Sequence, residues 1–384
     1  MAGSLTQPLD RVQPGIALLP VTTRARMRAF VDLPYRLHRE EAHWIPPLRR
    51  DERRRLSPAH NPFWNHARAD LWLARAGGRV TGRIAAIEDR LYNERQGESI
   101  TWFGFFEAED RATAAALLTA VEQRAREWNS RVVRGPVNPS LHDSAGLLVD
   151  GFDTDPYILM PYNPPTYPSF VEEAGYRKVK DLLAWAMDLS KPAPERVTRL
   201  ASRVVRRNGL KVRTVDLGAF DRDLAILHQI YRAAWDDNWG FVPPTDAEIQ
   251  RLAADLRPIL DPELVLFVEL AGRPVACSVA LPDMNQVLKL MNGRLLPFAI
   301  VHFLRRRRII DQTRLLMLGV LPDVRRLGLY PLLMAESHRR AIERGYRRGE
   351  SSWTLEDNAA VNAGIEALGG RRSKTYRLYE KPVG

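Results

Sequence analysis

The stretch LLMLGVLPDVRRLGLYPLL, residues 315–333, carries residue types that could hold a phosphate group. Its apolar start predicts a buried strand, Pro322-Asp323 predicts a turn, and a helical pattern follows. Backbone N–H groups at the start of a helix, together with the positive end of its dipole, attract an anion. Arg325 and Gly328 lie in the connecting loop, where a glycine lets phosphate oxygens approach the backbone. We therefore expect a phosphate-binding loop here.

The composition is that of a globular protein with a basic surface. The 384 residues are 45% hydrophobic and 27% charged, enough for two domains or one large one. The formal charge of +11 suggests an anionic partner such as CoA phosphates, a nucleic acid or an acidic membrane face, but a genome that favours arginine explains it equally well. The single cysteine, Cys277, rules out an internal disulfide. With no secretory pattern and no apolar run of roughly 18 residues, we expect a cytoplasmic protein, with peripheral contact at the inner face of the membrane as an extension.

Two segments of the chain repeat one order of elements. Hairpins are predicted at Gly77-Gly78 and at Ala271-Gly272-Arg273, each followed by a strand, a helix, a strand, a short helix and a long terminal strand. FVEEAGYRKVKDLLAWAMDL and GIEALGGRRSKTYRLYEKPV both predict a short helix, a glycine turn and that last strand. We interpret the pattern as a tandem duplication, with an arm and helices in 1–66, a first half in 67–190 and a second half in 191–384. The alternating order predicts an α/β fold with mixed sheets.

The loop in this context resembles the acyl-CoA pyrophosphate loop of the GNAT superfamily of N-acyltransferases, whose pattern is Arg/Gln-x-x-Gly-x-Gly/Ala. Arg325 and Gly328 match, whereas Tyr330 stands where the last small residue is usual. The resemblance covers roughly residues 68–383 and is strongest from Arg314 onward. The stretches NWGFVP and KTYRLYEKP are similar to those of bacterial proteins with two such halves. The resemblance implies two tandem GNAT-like halves, each a mixed, mostly antiparallel twisted sheet flanked by helices, the first half degenerate and the second binding acyl-CoA.

The resemblance also implies roles for residues of the second half. The strand ending at Leu318, Gly319 and Val320 would hold the pantetheine arm, and Asn358 could face that arm while capping a helix. The expected pyrophosphate-binding residues are Arg325, Arg326, Leu327, Gly328, Leu329 and Tyr330. The co-substrate would be acetyl-CoA or a longer acyl-CoA, and its acyl group would pass to an amine. Metal binding is not expected, because the eight histidines show no ligand spacing.

Residues for proton transfer are less clearly marked. Many GNAT enzymes place a tyrosine after this asparagine as the general acid, but the helix NAAVNAGIEAL has none. Tyr376 and Tyr379 on the last strand are substitutes that point to opposite faces, and we prefer Tyr376. The candidate bases are Glu269, Glu356, Asp237 and His302. Glu356, at the end of a predicted strand, is taken with Tyr376 as the candidate catalytic pair.

The stretch DNWGFVPPTDAE, residues 237–248, is expected to line the acceptor pocket. Asp237 would attract the acceptor ammonium, and Trp239 and Phe241 would form an apolar wall. The simpler interpretation is a packed loop in which Thr245 caps the next helix. The first half lacks a phosphate loop, so we expect it to bind no CoA and to supply at most a wall of the acceptor site. Its exposed polar candidates are Asn138, His142 and Asp143.

The segment from Leu295 to Arg308 joins an apolar stretch to the run Arg305 to Arg308. Such a segment suits the surface of an anionic membrane, although a helix packed on the sheet is the alternative. Some similar two-half proteins N-acylate long-chain amino-alcohols, as in bacterial ceramide synthesis, so the leading acceptor is a long-chain, sphingoid-like amine.

Two other functions stay open. A tandem-GNAT aminoacyl transferase that uses charged tRNA would explain the basic surface, but the CoA-type loop and the lack of basic patches interleaved with aromatic residues disfavour a nucleic acid. A non-catalytic protein that binds acyl-CoA or anionic lipid is the other.

Overall fold

The computed structural model describes residues 15–293 and 300–384. Its strands join one thirteen-stranded sheet. The strands of the N-terminal region and the first half are β1 (Ile16–Pro20), β2 (Ala67–Ala76), β3 (Arg79–Asp89), β4 (Ile100–Ala108), β5 (Val132–Gly135), β6 (Leu147–Asp150) and β7 (Arg177–Asp188). Those of the second half are β8 (Leu210–Thr214), β9 (Val265–Leu270), β10 (Arg273–Pro282), β11 (Gln312–Val320), β12 (Arg348–Leu355) and β13 (Arg371–Pro382).

Helices cover both faces of the sheet. The first half and its N-terminal region contain α1 (Arg24–Leu37), α2 (Arg49–Arg55), α3 (Arg90–Gln96), α4 (Arg111–Glu127) and α5 (Tyr167–Glu173). The second half contains α6 (Glu195–Asn208), α7 (Phe220–Trp235), α8 (Asp246–Leu256), α9 (Asn285–Met291), α10 (Ile300–Leu304), α11 (Arg306–Ile309), α12 (Leu329–Glu343) and α13 (Ala359–Ala367). The described part of the chain between β10 and β11 thus contains the three short helices α9, α10 and α11. Residues 294–299, between α9 and α10, lie outside the described ranges.

A turn and a helix start lie where local sequence signals predict them. Gly77 and Gly78 both have positive φ and join β2 to β3 in the first predicted hairpin. Thr245 begins α8 through a reciprocal capping box with Glu248, in which the Thr245 hydroxyl accepts from the Glu248 N–H at 3.3 Å and the Glu248 carboxylate accepts from the Thr245 N–H at 2.8 Å. The cap fixes where α8 begins, and therefore where the preceding aromatic loop ends.

Each half contains one parallel pair of strands, and the pair of the second half diverges. In the second half, β11 pairs with β12 only from Gln312 to Leu315, opposite Arg348 to Ser351, and the strands then separate. In the first half, β4 and β5 pair from Ile100 to Trp102. A gap between diverging strands in the middle of a sheet is a natural ligand cleft, because backbone N–H and C=O groups there lack strand partners.

The two halves exchange their terminal strands. The sheet order is β1-β2-β3-β4-β5-β13-β7-β12-β11-β10-β9-β8, with β6 paired to β13. The last strand of the chain, β13, therefore lies beside β5 of the first half, while β7 lies beside β12 of the second. Because each half is completed by a strand of the other, the tandem halves share one continuous sheet.

The faces of β13 bury its two tyrosines in different cores. Tyr376 packs in the cluster with Phe30 and Trp102, and Tyr379 in the cluster with Phe103 and Tyr176. The expectation that these side chains point to opposite faces is confirmed. In the described residues, no helix combines the length and the apolar composition needed to cross a bilayer.

Candidate active site

The gap between β11 and β12 opens into a cleft of about 250 Å³. Residues 314–318 of β11 and 351–355 of β12 form two of its walls, and α7, α8, α12 and α13 contribute the others. Most of the lining side chains are apolar. Binding in such a cleft stabilises an apolar ligand by about 25 cal/mol for each Å² of its apolar surface that is removed from water. The cleft also keeps bulk water from a reacting centre.

The closed end of the cleft is polar. Arg314 is 2% exposed and donates from Nε to the Ser352 hydroxyl at 2.8 Å and from Nη1 to the Ile158 carbonyl at 2.7 Å. The Ser352 hydroxyl in turn donates to Glu350 at 2.6 Å. Burial raises the pKa of Glu350 and lowers that of Arg314, since both charged forms lose solvation. A buried network of hydrogen bonds thus lies where the strands begin to separate.

The predicted phosphate loop lies at the N-terminus of α12. Gly328 has φ +77° and ψ +33°, a left-handed conformation that directly explains the glycine. No side chain caps α12, so the backbone N–H groups of its first turn are available to a ligand. Arg325 and Arg326 are both exposed beside this turn. The loop therefore fits the pyrophosphate of an acyl-CoA, although the Arg325 guanidinium also donates to the Ala234 carbonyl at 3.1 Å.

The other residues expected to contact acyl-CoA divide into two groups. Leu318, Tyr330 and Asn358 line the cleft, and the Asn358 side chain also caps α13 by accepting from the Val361 N–H at 3.3 Å. Val320 is fully buried and does not line the cleft. The half-buried ring of Tyr330 turns into the cleft, and burial raises the pKa of its hydroxyl. The Tyr330 ring therefore leaves the backbone N–H groups at the start of α12 accessible to a ligand.

The aromatic loop after α7 forms one side of the cleft. Trp239 and Phe241 line it, and Thr245 caps α8 as the packed-loop interpretation predicts, while the acceptor-binding role of the two aromatic side chains stays a prediction. Asp237 lies elsewhere: it is 84% exposed, does not line the cleft and lies 3.7 Å from Arg325. The structure thus brings the two aromatic residues to the cleft and leaves the carboxylate outside.

The first half contributes a loop to the same cleft. His142 and Asp143 line it together with Ser140 and Leu141. Asn138 lies apart, where its side-chain oxygen accepts from the Phe105 N–H and where it lines a separate cavity of about 80 Å³.

The corresponding gap in the first half is closed. After β5 the Val137 N–H donates to the Phe103 carbonyl at 3.0 Å, so the chain continues to pair with β4. The backbone is so close that a Cβ on Gly104 would lie 1.9 Å from the Val137 carbonyl oxygen. A pantetheine arm cannot occupy such a gap without displacement of the backbone.

The candidate catalytic pair lies away from the cleft. Tyr376 is fully buried where β13 pairs with Leu182 and Leu148, and its hydroxyl makes no hydrogen bond within the described residues. The exposed carboxylate of Glu356 accepts from Lys178 at 2.6 Å and from the Asp181 N–H at 3.0 Å. Neither side chain lines the cleft: the strand exchange places β13 and Tyr376 on the far side of β7, and Glu356 is bound to Lys178 and Asp181. The other candidate bases, Glu269 and His302, do not line it either.

Several cleft residues were not singled out from the sequence. Tyr231 and Trp235 occupy successive turns of α7, with ring centroids 4.8 Å apart, and Arg251 of α8 pairs with Asp143 at 3.0 Å. The spacing of four residues between the two aromatic side chains was the available signal, since such positions share one helix face. Arg251 had no comparable signal, because its partner lies in the other half.

A half-buried charge cluster next to the cleft joins the first half to α8 of the second. His66 lies 3.0 Å from Asp89 and 3.4 Å from Glu248 of α8. Burial opposes the charge on His66, but the hydrogen bond to Asp89 and the nearby Glu248 carboxylate outweigh it and raise the pKa of His66 to about 9. Burial likewise opposes ionisation of Glu248, but the nearby His66 and the hydrogen bonds from Thr245 lower its pKa to about 2. His66 is therefore positively charged at neutral pH and holds α8 against the first half.

Two curated bacterial proteins are similar to the chain over nearly its whole length. Bacterial ceramide synthase from Caulobacter vibrioides is 37% identical over 387 residues, which cover 98% of this chain and 100% of the relative. Protein YghO from Escherichia coli is 33% identical over 368 residues, which cover 93% of each chain. No family model matches the chain.

Solved structures share the fold at low sequence identity. A tandem GNAT protein from the clavulanic acid biosynthesis pathway has a TM-score of 0.56 at 12% identity and covers 96% of this chain and 99% of its own. A GCN5-related N-acetyltransferase from Sphaerobacter thermophilus has a TM-score of 0.52 at 15% identity and covers 97% of each chain. These matches confirm the predicted fold of two tandem GNAT-like halves. With the two bacterial relatives, they show that the chain belongs to the tandem GNAT acyltransferase family that includes the Caulobacter and Escherichia proteins.

Proposed function

We propose that the protein transfers an acyl group from acyl-CoA to the amino group of a long-chain, sphingoid-like amine at a membrane surface. The observation that carries the proposal is the apolar cleft between β11 and β12, which begins beside the uncapped N-terminus of α12 and is walled by aromatic side chains. The name of the Caulobacter relative, a ceramide synthase, supports an amide-forming reaction on a lipid.

The residues of the cleft suit each part of the reaction. The N-terminus of α12 and the loop at Gly328 would hold the pyrophosphate, and Leu318 and Asn358 would lie along the pantetheine arm. The wall that includes Trp239 would exclude water and bind alkyl chains. Amide formation then requires removal of a proton from the attacking nitrogen and protonation of the departing thiolate.

The membrane part of the proposal is supported by an exposed apolar and basic surface. Five large hydrophobic side chains are exposed among the described residues, and three of them lie on α9 and α10: Leu290, Val301 and Leu304, the last 70% exposed. The exposed arginines that follow are Arg305, Arg307 and Arg308. Leu295 to Ala299, the start of the predicted membrane segment, lie outside the described residues. Apolar side chains beside arginines favour the boundary between anionic headgroups and acyl chains.

Release of free thiol from acyl-CoAs of short and long chain, tested against a panel of amines that includes sphingoid bases, would test the activity. We expect the largest release with a long-chain amine. Leu252→Glu adds a charge to the cleft on α8 and should lower this activity at least tenfold, whereas Ala254→Glu adds the same charge on the exposed side of the same helix and should not. No release with any pair would refute the proposed enzyme activity.

Co-sedimentation with vesicles would test membrane contact separately. We expect binding to vesicles that contain phosphatidylglycerol and little binding to pure phosphatidylcholine. Leu304→Glu should reduce the bound fraction, while Leu200→Glu, at a residue 43% exposed on α6, serves as the matched control. Equal binding by the two variants would refute the assignment of this surface.

A further inference from the structure

A histidine of the first half and a tyrosine of the second meet at the wall of the cleft. The His142 ring nitrogen Nδ1 lies 3.0 Å from the Tyr231 hydroxyl oxygen, and His142 Nε2 lies 2.6 Å from the Val242 carbonyl oxygen. Both His142 and Tyr231 line the cleft.

The Tyr231 hydroxyl, the His142 ring and the Val242 carbonyl together fix the direction of the two hydrogen bonds that His142 makes. A carbonyl oxygen can only accept, so the Nε2 of a neutral His142 carries the proton and donates to Val242. The Nδ1 atom then has a free lone pair and accepts the O–H of Tyr231. Burial raises the pKa of Tyr231, so its hydroxyl keeps its proton at neutral pH. The arrangement is a phenol hydrogen-bonded to a base whose other nitrogen is anchored.

Aromatic packing places Tyr231 along the strand that borders the cleft. Its ring lies 5.3 Å from that of Phe241 and 4.8 Å from that of Trp235. The Trp235 ring in turn covers Gly319 of β11, where a Cβ would lie 2.6 Å from a ring carbon. The Tyr231 hydroxyl is thus held by packing as well as by His142.

The charged groups around the pair are engaged with other partners. Asp143, next to His142 in the chain, accepts from the Ser140 hydroxyl at 2.7 Å and from Arg251 at 3.0 Å. Glu248 of α8 is bound to His66 and Thr245. These contacts leave the lone pair of His142 Nδ1 to the Tyr231 hydroxyl.

We propose that Tyr231 and His142 form a proton relay for amide formation, an inference that rests on the proposed acyl transfer. When the amine nitrogen bonds to the thioester carbon, its excess proton passes to the Tyr231 oxygen while the Tyr231 proton passes to His142 Nδ1. His142 then carries a proton on each nitrogen. As the C–S bond breaks, the same path returns one proton to the sulfur, so the products are the amide and free CoA thiol and the relay is restored. Tyr231 is the catalytic residue, and His142 acts through it as a positioning and proton-storing residue.

Turnover and binding measured together would test the relay. We expect Tyr231→Phe to lower kcat by about 10²–10⁴-fold while the Kd for acyl-CoA, measured by fluorescence titration, stays within threefold of wild type. His142→Ala should lower kcat similarly, and because His142 is exposed, added imidazole should restore at least part of it. The matched controls Tyr346→Phe and His43→Ala lie outside the cleft and should keep wild-type kcat.

The outcomes separate this inference from the proposed function. If wild type transfers an acyl group and Tyr231→Phe keeps kcat within threefold, the relay is refuted and the proposed function stands. If His142→Ala is inactive, unaffected by imidazole and lower in thermal midpoint than His43→Ala, His142 is structural and the relay is again refuted. If wild type itself transfers to no amine in the panel, the proposed function fails and the relay fails with it.

Discussion

Removal of β13 tests most directly whether the two halves fold as one unit. β13 lies between β5 and β7, and its Tyr376, Leu378 and Tyr379 are fully buried. Burial of an apolar side chain contributes about 1.5–3 kcal/mol, so these three contribute roughly 4.5–9 kcal/mol, less about 1–3 kcal/mol for the buried Tyr376 hydroxyl that makes no hydrogen bond within the described part of the chain. Because the free energy of unfolding of natural proteins is only about 5–15 kcal/mol, we expect a chain that ends at residue 370 not to fold.

Separate expression of residues 1–190 and 191–384 extends this prediction to each half. The first fragment contains β7 but lacks β13, and the second contains β13 but lacks β7. Each fragment alone should therefore be unfolded or aggregated, and co-expression with an affinity tag on one fragment should recover both in equal amounts. The reasoning would be refuted by a 191–384 fragment that alone unfolds cooperatively at the midpoint of the full chain.

A point substitution on β13 gives a milder version of the same test. Leu378→Ala leaves a cavity in the core and should lower the free energy of unfolding by about 2–5 kcal/mol. Leu304→Ala makes the same chemical change at a side chain that is 70% exposed and should have almost no effect. Denaturant unfolding followed by circular dichroism measures both, and equal midpoints would contradict the placement of β13.

Three further predictions concern the loop, the cleft wall and the charge cluster. Gly328→Val places a β-branched residue at φ +77°, which costs about 1–2 kcal/mol or more. The variant should weaken acyl-CoA binding at least tenfold in a titration. The control Gly345→Val is equally strained at φ +89° but has open space around it, and should not weaken that binding. Gly319→Ala should overpack Trp235, lower stability by about 1–3 kcal/mol and change tryptophan fluorescence, and an unchanged spectrum and thermal midpoint would contradict this. The pKa of His66 is about 9 in the folded protein, above its unfolded value, so the stability that it contributes is complete below about pH 6.5 and is lost as pH rises through 9. The drop in thermal midpoint on His66→Gln should therefore be largest near pH 6. A drop that does not depend on pH would argue against the charged cluster.

Sequence reasoning located the parts of the fold that local chemistry determines. The two hairpin turns, the capping box at Thr245 and the glycine loop before α12 each depend on residues close in the chain. Gly328 was assigned for close approach of a phosphate, and its positive φ adds a conformational reason that a sequence cannot display. Trp239 and Phe241, expected as a wall of the acceptor pocket, line the cleft, and their role toward an acceptor stays a prediction.

The exchange of terminal strands could not be predicted from local signals. The pattern of β13 fits its own half as well as the other, since both terminal strands follow the same short helix and glycine turn. The choice of Tyr376 as proton donor depended on β13 bordering its own cleft, and that role stays a prediction without a position in the cleft. Tyr231 was missed for the converse reason, because its hydrogen-bond partner His142 lies in the other half and only the folded chain brings them together.

The exchange of terminal strands also explains how the first half, which has no phosphate loop, contributes a wall to the cleft between β11 and β12. β7 of the first half pairs with β12, and Leu182 of β7 lines the cleft together with Leu159. Without the first half, β12 would have an exposed edge and the cleft would lack the wall that carries His142. Val137 closes the corresponding gap of the first half, where β5 pairs with β4 on one side and with β13 on the other. The closed gap of the first half and the cleft wall that the two halves share therefore belong to one continuous sheet.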